Sequence, residues 1–139
     1  MRYDIERLIP HRDRMKLLDE VISADEEQAT TESVVTEHWP LVENGFASPL
    51  VLIELVAQTS AVCIGWKETS TGEGLIEGKG WLVGIKRAAF HTDAIAAGTR
   101  IHTQTKIRFK IDNFTEIAGK SMAGHRCLGD IVLQVVREG

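Results

Sequence analysis

Glu54 is the only charged residue between Glu43 and Lys67, in a window otherwise dominated by apolar side chains. A lone carboxylate in such surroundings is costly unless it is paired, hydrogen-bonded or protonated. Gln58 follows four residues later, on the same face of a helix. Two readings fit this polar stripe: a functional polar site, or a stripe exposed at a subunit interface or rim. Just upstream, Ser48-Pro49 reads as a helix start, with Ser as the cap and Pro at the first helical position. The first N–H groups of a helix lack internal partners and carry the positive end of its dipole. Such a terminus polarises a carbonyl or holds an oxyanion. With Glu54 one turn inside, a carbonyl and a general acid can share one site. Every helix has an N-terminus, so this feature alone selects no reaction.

The elements that must position these residues follow from the pattern. From Leu50 to Trp66 there is no Gly or Pro until Gly65. A helix of that length spans roughly 25 Å. It is apolar nearly all round, so it is buried on most sides. Met15–Ala24 and Ala29–Thr36 read as strands joined by the acidic turn Asp25-Glu26-Glu27. Residues 4–8 read as a short helical turn ended at Pro10. Residues 37–48, with Pro40 and Asn44-Gly45, read as a loop, and 68–79 as a Gly-rich connection. Four strands follow: Gly80–Phe90, Arg100–Ile111, Phe114–Met122 and Arg126–Val136. In Arg100–Ile111 the alternation predicts Ile101, Thr103, Thr105, Ile107, Phe109 and Ile111 on one face. One long apolar helix among six strands is covered most economically by a curved antiparallel sheet wrapped around it. That is an α+β hotdog fold, with residues 1–139 as a single domain. Its free edge and flank predict a dimer or a dimer of dimers.

Composition excludes several classes. The chain has 139 residues, 43% hydrophobic and 26% charged, which suits one globular domain and not a disordered chain. A net charge of −4 argues against a nucleic-acid partner. Charge is uneven: the balance is −8 over residues 1–79 and +4 over 80–139, so the second part could face an acidic or phosphorylated ligand. Solvated strand faces explain it as well. Cys63 and Cys127 make no disulfide framework and read as reduced structural thiols. The N-terminal segment lacks a signal-type apolar region, and no run of 18 apolar residues exists. The expectation is a soluble cytoplasmic protein without a membrane partner. His91, His102 and His125 fit no metal-ligand spacing, so no metal is expected. The glycines of GEGLIEGKG have no phosphate-loop context. No Ser/His/Asp set sits on a nucleophile turn.

Four segments carry a resemblance. Leu8-Ile9-Pro10-His11-Arg12, continuing through Met15-Lys16-Leu17-Leu18-Asp19-Glu20-Val21, is similar to "LPHRxPxLLLDRV". Ser48-Pro49-Leu50-Val51-Leu52-Ile53-Glu54-Leu55-Val56-Ala57-Gln58 is similar to "PGVLxxEAMAQ". Gly84-Ile85-Lys86-Arg87-Ala88-Ala89-Phe90 is similar to "GIDKARF", and Ala96-Ala97-Gly98-Thr99 stands where "VxPGD" is found. In this order they resemble the β-hydroxyacyl-(acyl carrier protein) dehydratases of the hotdog superfamily. The loop PLVENGFASP resembles a divergent branch, the predicted dehydratases of aryl-polyene and other polyketide-like lipid pathways.

The resemblance implies a cofactor-free, two-residue mechanism. A loop histidine removes the proton beside the thioester carbonyl. A helix acid from the other subunit handles the leaving hydroxyl, and N–H groups at the helix start hold the thioester oxygen. Glu54 falls on the acidic position and Gln58 on the family's glutamine. The family histidine lies fourteen residues before the acid, where this chain has Pro40. His38 takes the role only if the loop carries a two-residue insertion; His38-Trp39-Pro40 imitates the family's "HFP". Pro49 replaces the helix-start glycine and removes one N–H, leaving that of Leu50. His11, in the "PHR" segment, has a structural role by this resemblance. The expected catalytic pair is Glu54 and His38. Leu50, Gln58, Gly84, Lys86 and Arg87 are expected at the substrate. Lys86, Arg87, Arg108 and Lys110 are candidates to meet phosphopantetheine or an acidic carrier protein, or are plain solvated strand residues. The expected substrate is a 3-hydroxyacyl thioester on acyl carrier protein or CoA. Two alternatives remain: a hotdog acyl thioesterase, and a catalytically weak subunit pairing with an active dehydratase.

Overall fold

A computed structural model of the chain describes residues 16–70 and 81–137. The expected helical turn at 4–8, the segment around His11 and most of the Gly-rich connection lie outside those residues. The elements are β1 (Glu20–Ala24), β2 (Gln28–Val34), β3 (Val42–Glu43), β4 (Phe46–Ala47), α1 (Val51–Ser70), β5 (Trp81–Phe90), β6 (Ile95–Ala96), β7 (Arg100–Ile111), β8 (Phe114–Ala123) and β9 (Arg126–Arg137). Six strands form one antiparallel sheet in the order β1-β2-β7-β8-β9-β5, and β3-β4-β6 form a small second sheet. Helix α1 lies against β7, β2, β8 and β9. This is the hotdog arrangement expected from the element order.

The helix starts where Ser48-Pro49 predicts, and it runs one turn past Trp66, so residues 68–70 are helical. Ser48 Oγ accepts the Leu50 N–H at 3.2 Å, and Ser48 O accepts the Val51 N–H at 3.1 Å. Leu52, Leu55, Val56 and Val62 are fully buried against Ile101, Ile131 and Leu133 of the sheet. Two buried hydroxyls on the same helix, Thr59 and Ser60, donate to the carbonyls of Leu55 and Val56, each at 2.7 Å. This satisfies them without breaking the apolar packing. The helix comes very close to the sheet at two glycines. A Cβ on Gly119 would stand 2.6 Å from Val56 Cγ1, and one on Gly129 would stand 2.9 Å from Leu52 Cδ1.

Three expectations need correction. The first strand begins at Glu20, and the described residues before it, 16–19, are not strand: the Leu17 N–H is drawn to a side chain of α1. The loop 37–48 holds a small hairpin: Val42 pairs with Ala47 and Glu43 with Phe46. Its turn, Asn44-Gly45, has positive φ at both residues, 54° and 80°. The single apolar face of β7 does not persist. A bulge between Ile107 and Phe109 shifts the register, and one extra residue moves every later side chain to the opposite face. Ile101, Thr103 and Thr105 are buried beneath α1, whereas Phe109 and Ile111 are exposed. Phe109 stacks on Phe114 across the Asp112-Asn113 turn, with ring centroids 5.9 Å apart.

The Gly119–Val56 contact yields a stability test. Gly119→Ala forces its methyl into a stiff β-branched side chain and is expected to destabilise the chain by about 1–3 kcal/mol. In the background Val56→Ala, the same substitution is expected to cost much less. Denaturant unfolding of the four proteins measures the coupling, and equal costs in both backgrounds would contradict the close approach.

Candidate active site

Glu54 stands on the first turns of α1, half-buried, between the buried Val51, Leu52 and Leu55. Its Oε1 accepts a hydrogen bond from Gln58 Nε2 at 3.1 Å. Gln58 itself is fully buried, and its Oε1 accepts the Leu17 N–H at 2.9 Å. The i, i+4 spacing of the sequence thus becomes a relay from the backbone of Leu17 through the Gln58 amide to the Glu54 carboxylate. Gln58 was expected to touch substrate. With no exposed surface, it meets Leu17 and Glu54 instead.

Leu50, Ile53, Glu54, Ala57 and Ile64 fall on one side of the helix. None is fully covered by the described part of the chain. Leu50 is 51% exposed. The acid therefore sits on an apolar strip that the sheet leaves open. At the helix start the Leu50 N–H donates to Ser48 Oγ, and the Val51, Leu52 and Ile53 N–H groups donate to the carbonyls of Ser48, Pro49 and Leu50. A substrate oxygen using the Leu50 N–H displaces a side-chain hydroxyl.

His38 lies on the segment between β2 and β3 and is exposed. Its N–H donates to Thr36 Oγ1 at 3.3 Å. The next residue, Trp39, is buried in the core and anchors this segment. Leu41 follows with φ 63°, a left-handed conformation unusual for a branched side chain. The Ser48 N–H donates to Leu41 O, closing the hairpin onto the helix start, and the Ala97 N–H donates to Gly45 O. Through these bonds the β4–β6 pairing brings Ala96-Ala97-Gly98-Thr99 against the loop that precedes α1.

Gly84, Lys86 and Arg87 are not brought to Glu54 within one chain. Gly84 pairs with Gln134, which alternates with the helix-facing Leu133 and Val135, so it faces away from α1. Lys86, two residues on, lies on the same outer face, and a bulge between Ile85 and Arg87 turns Arg87 to that face as well. There Lys86 Nζ meets Glu116 Oε1 at 3.0 Å. Arg108, the extra residue of the β7 bulge, reaches Glu116 Oε2 at 3.5 Å from the other side. Gln134 Nε2 adds a longer contact at 3.5 Å. The hydrogen bond from Lys86 holds the Glu116 carboxyl below the usual carboxylate range, against the opposing effect of burial. Sequence reasoning missed Glu116, whose signal was an acid on β8 amid the basic outer residues of β7 and β5. Likewise Arg100, at 2.8 Å, holds Glu32 low, with His102 Nε2 at 3.0 Å adding to it.

Comparison with known proteins follows the same lines. The profile of the ApeP-like family, described as ApeP dehydratase, matches residues 3–137. No curated protein matches the chain by sequence. Among solved structures, the chain is similar to the dehydratase heterocomplex ApeI:P from Xenorhabdus doucetiae. The two are 21% identical, the match covers 99% of this chain and 93% of that one, and the TM-score is 0.89. It is also similar to thioesterase superfamily member 2 of zebra fish, 16% identical over 94% of this chain and 88% of that one, TM-score 0.66. A hypothetical thioesterase from Streptococcus pneumoniae, solved with coenzyme A, is 11% identical over 86% and 85%, TM-score 0.61. At these identities the structural matches speak for the fold.

Two tests follow from the geometry. Gln58→Leu leaves the Leu17 N–H without its acceptor and is expected to destabilise the chain by about 1–3 kcal/mol. Unchanged denaturant unfolding would contradict the relay. For Glu116 the folded value is depressed, so its contribution is present above the unfolded glutamate value of about 4.3 and is lost as pH falls through the folded one. The melting temperature of the unsubstituted chain is expected to exceed that of Glu116→Gln at pH 7. That gap should close below about pH 4.3; a gap independent of pH would contradict the pairing.

Proposed function

The chain belongs to the ApeP-like dehydratase family, and on that footing we propose that it removes water from a 3-hydroxyacyl thioester presented on acyl carrier protein or CoA. The observation that carries this reading is the Glu54 carboxylate, held by Gln58 on the open apolar strip of α1. Elimination requires a base for the proton beside the carbonyl and an acid for the departing hydroxyl. Glu54, in its protonated form, gives its proton to the hydroxyl, which leaves as water. His38 takes the proton from the carbon next to the thioester, and imidazole suits that task near neutral pH. The Leu50 N–H, released from Ser48 Oγ, steadies the thioester oxygen as negative charge builds there.

We assign His38 and Glu54 of one site to different subunits. The strip of exposed Leu50 and half-buried Ile53, Ala57 and Ile64 supports a second hotdog subunit over the helix. For His38 and Glu54 to share a site that subunit is a second copy of this chain; the similar Xenorhabdus doucetiae structure, a dehydratase heterocomplex, supports instead a non-identical partner that brings its own histidine. An imidazole nitrogen is then expected within about 5–7 Å of the carboxylate, so that each group reaches its own proton. Arg87 and Gly84 lie near the edge strand, where a carrier's phosphopantetheine could pass; Lys86 is already paired with Glu116. Two free thiols, Cys63 and Cys127, support a reducing, cytoplasmic setting. Among the described residues, no helix is long and apolar enough to cross a membrane.

A second reading is favoured by the exposure of His38 and by the capped Leu50 N–H: the chain lends Glu54 to a histidine of its partner. Dehydration of a 3-hydroxyacyl thioester is followed for the chain alone and with a second hotdog subunit. Glu54→Gln is expected to fold and to lower the rate at least about a hundredfold in either setting. If His38→Ala lowers it equally, the two-residue mechanism holds in this chain. If His38→Ala is silent and activity needs the partner, the lending reading holds. Full activity of Glu54→Gln, or release of free thiol instead of enoyl product, would overturn both and favour a thioesterase.

A further inference from the structure

The outer face of the sheet carries a second constellation, unconnected with Glu54. His91 directly follows β5 and stays tied to β9, its N–H donating to Leu128 O at 2.9 Å. Between Ser121 and Met122 the β8–β9 register shifts, and Leu128 is the extra residue. Without that bulge Cys127 and Asp130, three residues apart, would point to opposite faces. With it both project to the side away from α1, next to His91. His91 Nε2 is 2.9 Å from Asp130 Oδ2, and Cys127 Sγ is 3.7 Å from the same oxygen. All three donor atoms lie within 4.8 Å of one another. Spacing along the chain argued against a metal; the strand pairing brings the three donors together.

We propose that His91, Cys127 and Asp130 form a zinc-binding site with an open fourth position. Zinc bonds of about 2.0–2.3 Å in tetrahedral geometry set neighbouring donors roughly 3.3–3.7 Å apart. The cluster reaches this if the His91–Asp130 contact opens by about half an ångström and the His91 and Cys127 donors, which lie within 4.8 Å, draw in to the same range. A thiolate and a carboxylate bring two negative charges, which a divalent cation neutralises. The mixed nitrogen, sulfur and oxygen set selects zinc over magnesium or calcium. On ligation the Cys127 thiol gives its proton to solvent. Neighbouring Arg126 is directed to Thr92 Oγ1 at 3.1 Å, where it does not occupy the cluster. His91 and Asp130 side chains are 47% and 50% exposed, so ion and water have access. The ion would clip the end of β5 to β9 behind Gly129, the residue that lets Leu52 of the helix approach.

The site rests on neither reading of the dehydration, so its test is binding. The full chain is titrated with zinc chloride by calorimetry and with cobalt chloride by absorption. The other thiol, Cys63, is buried and donates to Asp25 O, so it is closed to an ion from solvent. A thiolate-to-cobalt band therefore reports Cys127. One zinc per chain and that band are expected. Cys127→Ser should abolish the band, and His91→Ala and Asp130→Asn should each weaken zinc at least about tenfold, while Cys63→Ser changes neither. Circular dichroism checks that the variants fold. Absence of stoichiometric zinc binding, or the same affinity in Cys127→Ser and His91→Ala as in the unsubstituted chain, would overturn the proposal.

Discussion

A primary amide presents an acceptor on one side and donors on the other, and Gln58 uses both. Its oxygen takes the Leu17 N–H, and its nitrogen donates to Glu54. With the side chain fully buried, losing either bond leaves a polar group without water to replace it. The amide therefore fixes two things at once. It ties the Leu17 backbone to the helix, two residues before Asp19 bonds to β2, and it orients the Glu54 carboxylate on an apolar surface. Leu17 and Leu18, both buried, follow from that anchoring and close one end of the core.

The sheet adapts to the helix through glycines and bulges. Gly119 and Gly129 remove side chains where Val56 and Leu52 must pass, so the helix lies almost on the backbone. The bulges act on the opposite face. Those in β5 and β7 turn Arg87 and Phe109 to the outer side, where Lys86 and Arg108 meet Glu116, and the one in β9 turns Cys127 toward Asp130. One sheet thereby carries an apolar inner surface and a charged outer surface with its own chemistry.

Local signals made the helix legible. Ser48-Pro49 marked its start, the unbroken apolar run marked its burial, and the lone charge at Glu54 marked the site. The long strands were legible from their turns, including Asp112-Asn113 and Gly124. The bulges were not, because an extra residue is accommodated by pairing with a distant strand and leaves no periodic trace. Phe109 and Ile111 were therefore placed on the wrong face. The two-residue strands β3, β4 and β6 are too short to show a period. The bond from Leu17 to Gln58 joins residues far apart in sequence, so the amide was read as a substrate contact. His38 stood out because the resemblance asks for a loop histidine, yet within one chain it remains an exposed loop residue whose counterpart belongs to another subunit in the proposed mechanism.

The central claim is that the carboxylate steadied by Gln58 acts on the departing hydroxyl. A crystal structure of the chain with a second hotdog subunit and a stable 3-hydroxyacyl thioester analogue tests it most directly. The account predicts the 3-hydroxyl oxygen about 2.6–3.2 Å from a Glu54 carboxylate oxygen, with the Gln58 hydrogen bonds to Glu54 and Leu17 intact. A hydroxyl bound beyond the reach of Glu54, even through one bridging water, would contradict it.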